Sequence, residues 1–351
     1  MNDTRIKVLV VEDSPVVQHL LADVIDGDPR LRVVGVAADA ADAVRKICTL
    51  APDVVTMDIR LPRMNGFEAT RWIMRDHPLP IVVVASNVDD KSLNISMNAL
   101  RAGALSVVPK PAGIGRADYE AMADHLRTQL VIMSEIKVVR QHGGRHHAPV
   151  LAPLPPQLPV EMVALVASTG GPGAISRILG GLPATFAAPV LVVQHMGAAF
   201  MGGFAHWLGT VSALPVALAA DGQPPLPGRV YVAPGDVHLS IAGGTMRLVA
   251  GAPVQGQRPS GDVLFASLAE TPELRSVGVL LTGMGEDGAR GLAALRRAGG
   301  HTIAEDRSSA VIWGMPGAAV AMAAAVEVLP VDAIAQRLRQ LTETVLPQGA
   351  S

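Results

Sequence analysis

Along the first third of the chain, short apolar runs alternate with stretches whose apolar residues recur at helical spacing. Residues 7–11, 31–36, 54–57, 81–84 and 106–108 read as strands, because they are rich in β-branched residues and bounded by polar or turn-forming ones. Residues 16–25 and 67–75 carry helical periodicity. Continuous apolar strands imply burial on both faces, and alternation with helices implies a parallel, doubly wound sheet. One complete α/β domain is therefore predicted over residues 1–118.

A helical pattern over residues 119–139 then gives way to Gln141-His142-Gly143-Gly144-Arg145-His146-His147 and a proline-rich run over 148–159. That composition packs no core and behaves as a semi-extended linker, so residues 119–159 are expected to connect two domains. With no cysteine or carboxylate cluster beside them, His142, His146 and His147 read as solvated linker histidines rather than metal ligands. Over residues 160–351 the alternation resumes, with buried strands predicted at 163–167, 190–193, 216–219, 277–281 and 302–304. Residues 229–249 break the rhythm: short strands at 230–232, 238–241 and 246–249 surround Pro234-Gly235 and Gly243-Gly244. Those are hairpin signals. A second doubly wound, Rossmann-like sheet decorated by an antiparallel hairpin patch is the expectation.

Composition narrows the setting. The 351 residues are 49% hydrophobic and carry a formal net charge of −2, enough apolar material for two cores. No run of like charge offers a footprint for nucleic acid. The longest apolar run, 318–326, is too short for a bilayer, and no apolar stretch follows Met1 in signal-peptide fashion. The single cysteine, Cys48, excludes a disulfide framework. Among Ala43, Val44, Ile47 and Leu50 it reads as a small core residue. These features predict a cytoplasmic protein with no membrane insertion and no nucleic-acid partner.

In an open parallel sheet, ligands bind beyond the carboxyl ends of the strands. Glu12 and Asp13 follow the strand ending at Val11, and Asp58 follows Met57. Either Glu12 or Asp13 alone would be an ordinary acid at a helix start. Three carboxylates at one edge repel unless a divalent cation neutralises them, and hard oxygen ligands of this kind suit Mg²⁺. Lys110, just after the last strand of this half, brings a cation to the same edge.

Further chemistry falls at strand ends in the second half. Ser168 stands between strand 163–167 and Thr169-Gly170-Gly171-Pro172-Gly173, which opens a helical pattern. Glycines permit a sharp turn, and free N–H groups at a helix start suit an anion. No lysine follows them, which argues against a nucleotide P-loop. A serine nucleophile needs a base, and of the ten histidines only His195 lies just past the carboxyl end of a buried strand. His301 falls at a strand start, His206 in a helical stretch and His238 in the antiparallel patch. The third group should be a carboxylate at that edge. By position both Glu286 and Asp287, in Thr282-Gly283-Met284-Gly285-Glu286-Asp287-Gly288, are candidates.

Glu12-Asp13, Asp58-Ile59-Arg60-Leu61-Pro62-Arg63-Met64-Asn65-Gly66 and Val108-Pro109-Lys110-Pro111 resemble the receiver domain of response regulators, over roughly residues 5–115. The resemblance implies a flavodoxin-like fold, Asp58 as phospho-acceptor, Mg²⁺ held by Glu12, Asp13 and Asp58, and Lys110 against the acyl phosphate. Receivers usually carry Ser or Thr at the end of the fourth strand. Here Ala85 stands there and Ser86 follows, so Ser86 is the candidate switch hydroxyl.

Ala167-Ser168-Thr169-Gly170-Gly171, Gln194-His195-Met196, Gln257-Arg258-Pro259-Ser260-Gly261-Asp262, Leu281-Thr282-Gly283-Met284-Gly285-Glu286-Asp287-Gly288 and Gly314-Met315-Pro316-Gly317 are similar to the CheB chemotaxis methylesterase family. That similarity implies hydrolysis of glutamate methyl esters on chemoreceptors and deamidation of receptor glutamines. Ser168 would be the nucleophile, His195 the base and Asp287, rather than Glu286, its partner. Backbone at Thr169, Gly170 and Met284 would line the site, with no cofactor there. A chemotaxis histidine kinase would be the phosphodonor, and the unphosphorylated receiver would cover the hydrolase edge. Gln257, where many relatives have histidine, is expected to tune the pocket. The alternatives are a methylesterase of another receptor pathway and a phosphorylation-dependent binding module. A DNA-binding output is excluded by the glycine-rich strand-end loops and the lack of a basic cluster.

Overall fold

The computed structural model describes residues 4–85, 99, 104, 106–110, 116–136 and 159–343. The chain divides into two compact units, Met1–Gly144 and Arg145–Ser351.

In the first unit, β1 (Ile6–Val11), β2 (Leu31–Ala37), β3 (Val54–Asp58), β4 (Ile81–Ala85) and β5 (Ser106–Pro109) form one sheet in the order β2-β1-β3-β4-β5. All pairings are parallel, and this is the flavodoxin-like order. Each strand extends one residue beyond its predicted limits. β3 and β4 are buried along their whole length, as strands covered on both faces must be. Asn65 caps the helix Gly66–Asp76 by accepting the Glu68 N–H at 3.0 Å. A Cβ on Gly66 would lie 2.3 Å from the Asp58 carbonyl oxygen, so glycine lets that helix start directly against the strand end bearing Asp58.

The helix Arg116–Ser134 packs on this sheet and buries Leu126, Leu130 and Met133. The folded unit thus continues past residue 118. Cys48 is a correction: it is exposed, with Sγ 3.5 Å from His77 Nε2. The helix Ala40–Leu50 buries Ala40, Ala43 and Ile47, and one further residue turns the side chain ~100° away from that face.

In the second unit the strands are β6 (Met162–Ala167), β7 (Val190–Gln194), β8 (Val216–Leu218), β9 (Val230–Val232), β10 (His238–Ala242), β11 (Thr245–Val249), β12 (Ser276–Leu280), β13 (His301–Glu305) and β14 (Glu327–Leu329). Seven form a parallel sheet in the order β14-β13-β12-β6-β7-β9-β8, and β10 pairs antiparallel with β11. Residues 230–232, expected in the antiparallel patch, instead pair in parallel with β7 and β8. Only three residues long, β9 has no periodicity that could announce its partners. β8, expected to be buried, is the sheet edge, with Ala217 and Leu218 exposed. β14 was not predicted. It is a three-residue edge strand whose one sheet neighbour among the described residues is β13.

β6 enters the sheet first yet lies inside it. The chain builds towards β7 on one side and returns as β12 on the other. Above the carboxyl ends of β12, β6 and β7 the connections diverge, which leaves the crevice characteristic of open α/β sheets.

Candidate active site

Register alone brings the backbones of Ser168 and His195 to adjacent strand ends. Ala167 of β6 faces Gln194 of β7, and one residue on, the His195 N–H donates to the Ala167 carbonyl at 3.0 Å. On the other flank Val166 pairs with Leu280, and the Ser168 N–H donates to the Thr282 carbonyl at 3.0 Å. Ser168 therefore stands between the segment carrying His195 and the loop that carries Asp287. Buried Gln194 ties two of these segments, its Nε2 donating to the carbonyls of Ser168 at 2.8 Å and His195 at 3.0 Å. A Cβ on Gly171 would sit 2.1 Å from Gln194 Oε1, so only glycine lets the helix Gly171–Gly180 start there.

His195 Nε2 lies 2.8 Å from Asp287 Oδ2, with the two side chains 5% and 3% exposed. An ionised carboxylate only accepts, so Nε2 carries a hydrogen, and in the neutral ring the lone pair is on Nδ1. Nδ1 is buried and has no partner among the described residues. Asp287 also accepts the Ser260 hydroxyl and the Gly261 N–H, both at 2.6 Å. Burial pushes this carboxyl upward, but the hydrogen bond and charge attraction of His195, with hydrogen bonds from Ser260 and Gly261, outweigh it and hold Asp287 below the usual carboxylate value. Glu286, the other carboxylate at this edge, is exposed.

The N–H groups of Thr169, Gly170 and Met284 have no intramolecular acceptor among the described residues. Gly170 adopts φ +79°, and a Cβ on Gly283 would lie 2.7 Å from Ser168 Cβ. The loop backbone thus approaches the serine as only glycine allows. A hydroxyl, an imidazole lone pair, an orienting carboxylate and free N–H donors are the parts that acyl transfer requires.

At the first sheet's carboxyl edge, ligand oxygens of Glu12, Asp13 and Asp58 lie within 4.8 Å of one another. Lys110 Nζ is 2.7 Å from Glu12 Oε2 and 3.1 Å from Asp58 Oδ1. Burial raises both carboxyls above their ordinary values, and Lys110 offsets part of that shift. Among the described residues, three carboxylates face the Lys110 cation and leave excess negative charge, a donor set that fits a divalent ion. Ala85, whose side chain is a methyl group, is buried and pairs with Pro109 at the end of β4. Ser86 lies outside the described residues.

The family model for the CheB methylesterase matches residues 163–338, and that for the response regulator receiver domain matches residues 8–118. A protein-glutamate methylesterase/protein-glutamine glutaminase of Paramagnetospirillum magneticum is 47% identical over 343 residues, 96% of this chain and 97% of the relative. The chain belongs to the CheB methylesterase family. A second relative of the same description, from Myxococcus xanthus, is 46% identical over 96% of this chain and 97% of its own length. The crystal structure of the Thermotoga maritima CheB methylesterase catalytic domain matches with a TM-score of 0.50 at 37% identity, covering 52% of this chain and 100% of that one.

Beside these CheB features stand residues that the sequence reading did not single out. Gln194 and Ser260 lie in family motifs, but nothing along the chain marks the bonds they make. Glu305 was overlooked. It is buried, accepts the Thr282 N–H at 2.8 Å and the Ser309 hydroxyl at 2.9 Å, and so anchors the loop beside Ser168. Burial, its largest influence, pushes its carboxyl up. The available signal was an acid at the carboxyl end of a largely buried strand, as Asp58 closes β3.

Proposed function

We propose that this chain is a phosphorylation-controlled serine hydrolase that demethylates glutamate methyl esters of chemoreceptors and deamidates receptor glutamines. The relatives' names carry both activities. The observation that supports this most is the allocation of the His195 ring: Nε2 goes to Asp287, and the buried Nδ1, with no partner among the described residues, lies one residue past the Ala167–Gln194 pair that sets Ser168 on the adjacent strand end.

In this reading Ser168 Oγ attacks the ester carbonyl as His195 Nδ1 takes its proton. The Nε2–H bond to Asp287 holds the tautomer and stabilises the imidazolium. N–H groups of Thr169, Gly170 and Met284 receive the oxyanion, each such donor being worth roughly 2.7–4 kcal/mol. His195 returns the proton to the departing methoxide, and methanol leaves. Water, activated by the same imidazole, then cleaves the acyl-enzyme to free glutamate. With a glutamine the leaving group is ammonia.

In the receiver, Asp58 is the proposed phospho-acceptor and a chemotaxis histidine kinase the phosphodonor. Glu12, Asp13 and Asp58 would hold Mg²⁺, which neutralises phosphoryl oxygens when bound. Lys110 would pair with the acyl phosphate, and Ser86 would supply the switch hydroxyl that Ala85 lacks. The proposed functional limits are 1–118 for the receiver, 119–159 for a helix, its described part packed on the receiver sheet, and a linker, and 160–351 for the methylesterase. The proposed location is the cytoplasm; among the described residues no helix is long and apolar enough to cross a membrane.

Methanol release from methylated receptor by the full-length protein and by Ser168→Ala, with and without a phosphodonor, tests the whole. Wild type should release methanol, faster with the phosphodonor, and Ser168→Ala should release almost none. Activity retained in Ser168→Ala would overturn the hydrolase assignment. An unchanged wild-type rate with the phosphodonor would overturn the control.

A further inference from the structure

Ser260 sits where a serine ordinarily caps the helix that follows, yet it does not cap it. It is the N-cap residue of the helix Gly261–Ala269 and makes no side-chain bond to that helix. Its hydroxyl donates instead to Asp287 Oδ1 at 2.6 Å. The cap comes from Asp287, which accepts the Gly261 N–H through Oδ2 at 2.6 Å and the Asp262 N–H through Oδ1 at 3.3 Å. Free N–H groups and the helix dipole favour an anion at that spot. A Cβ on Gly261 would lie 2.3 Å from Val166 Cγ1, so glycine lets the helix start press against β6, the strand that leads into Ser168.

The backbone of Ser260 is held as well. Its N–H donates to His238 Nδ1 at 3.2 Å, and His238 Nε2 lies 3.0 Å from the Ala252 carbonyl. A carbonyl only accepts, so Nε2 carries the hydrogen and Nδ1 the lone pair, a single tautomer. His238 is 3% exposed and Ser260 0%, which leaves little room for water to replace either bond. His238 is the first residue of β10, so the antiparallel hairpin supports the capping site.

We propose that Ser260 and His238 are positioning residues for Asp287: His238 fixes the Ser260 backbone, and the Ser260 hydroxyl holds Oδ1 so that Oδ2 faces His195. With Oδ1 engaged, the carboxylate cannot turn about its Cβ–Cγ bond without losing Ser260. This inference rests on the hydrolase reading above, and its test separates the two.

The experiment measures kcat and KM for methanol release from methylated receptor, and the downfield proton resonance of the His195 ring N–H, in full-length wild type, Ser168→Ala, Ser260→Ala, His238→Ala and His238→Asn. Ser260→Ala should lower kcat roughly 10- to 100-fold, the worth of a hydrogen bond to a charged group, with KM little changed and the resonance moved. His238→Ala should act in the same direction, and His238→Asn, which keeps an acceptor for the Ser260 N–H, should recover part of the loss. A folded Ser260→Ala with wild-type kcat and an unmoved resonance overturns the proposal. Should Ser260→Ala fail to fold, the same two readings on His238→Ala against His238→Asn decide, and wild-type values in both overturn it. Activity retained in Ser168→Ala would sink the hydrolase reading instead, and the resonance would still report on Asp287.

Discussion

His195 turns Nε2, not Nδ1, toward Asp287, at 2.8 Å. The sheet explains the choice. Nδ1 lies close to the histidine's own backbone, beside the adjacent strand end that carries Ser168, and is buried with no partner among the described residues. Nε2, at the far end of the ring, reaches the loop after β12, which lies beyond β6 in the strand order.

The two neighbouring acids should separate cleanly in function. Asp287→Asn turns one of two accepting oxygens into an NH2 donor, so the side chain can no longer accept from His195 and Ser260 together and fix the tautomer, and kcat for methanol release should fall by about 10⁴-fold. Glu286→Gln, at an exposed side chain, should leave kcat unchanged. Equal losses in steady-state assays of both variants would contradict this division.

Gly283→Ala should slow the reaction without unfolding the protein. Its Cβ would meet Ser168 Cβ at 2.7 Å and Met315 Sδ at 2.3 Å; the thioether can move, but the serine is displaced. A small misplacement of a reacting group costs roughly 10²-fold in kcat. Gly202→Ala, in the helix Ala198–Val211 with nothing near its Cβ, should keep the rate and gain about 0.5–1 kcal/mol in denaturant unfolding.

Asp287 and Glu305 should bend the pH–stability curve in opposite directions. Asp287 is held below its ordinary value of 3.8, so its stabilisation is present above that value and lost as pH falls through the lower folded one. Glu305 is raised above 4.5 by burial, so its ionisation costs stability as pH rises beyond 4.5. Glu305→Gln, which keeps an acceptor for the Thr282 N–H, should raise Tm at pH ~7 and lose that advantage in acid. A lower Tm for Glu305→Gln at neutral pH would show that the carboxylate's hydrogen bonds outweigh its desolvation.

The receiver cluster gives a metal-dependent prediction. Label from a radioactive small phosphodonor should enter wild type and Ser168→Ala equally, fail to enter Asp58→Asn, and disappear when divalent ions are chelated. Lys110→Met leaves buried Glu12 and Asp58 without their cation, and should destabilise that domain by about 3–5 kcal/mol at neutral pH. Undiminished labelling of Asp58→Asn would move the acceptor elsewhere.

Much of this molecule was legible along the chain. The strands that build both sheets are apolar runs, and residues just beyond such runs must gather at one edge, so Ser168, His195, Glu12, Asp13 and Asp58 could be placed there from order alone. Reading failed where a short segment takes its identity from a neighbour. β9 joins the parallel sheet, and β14 is a strand only because β13 lies beside it. Cys48 failed for a related reason: one residue's turn of a helix decides burial, and the edge of the apolar face is blurred in sequence.

The sequence by itself determined the two α/β units, the chemical groups at their strand ends and the glycines that let backbone approach them. Periodicity records which face of each element is buried, and that is local information. Only the tertiary structure decided which nitrogen of His195 meets Asp287, and that Ser260 caps nothing and holds the acid instead. Those choices depend on which distant segments come within hydrogen-bonding distance, ~3 Å, and strand order sets that, not spacing along the chain.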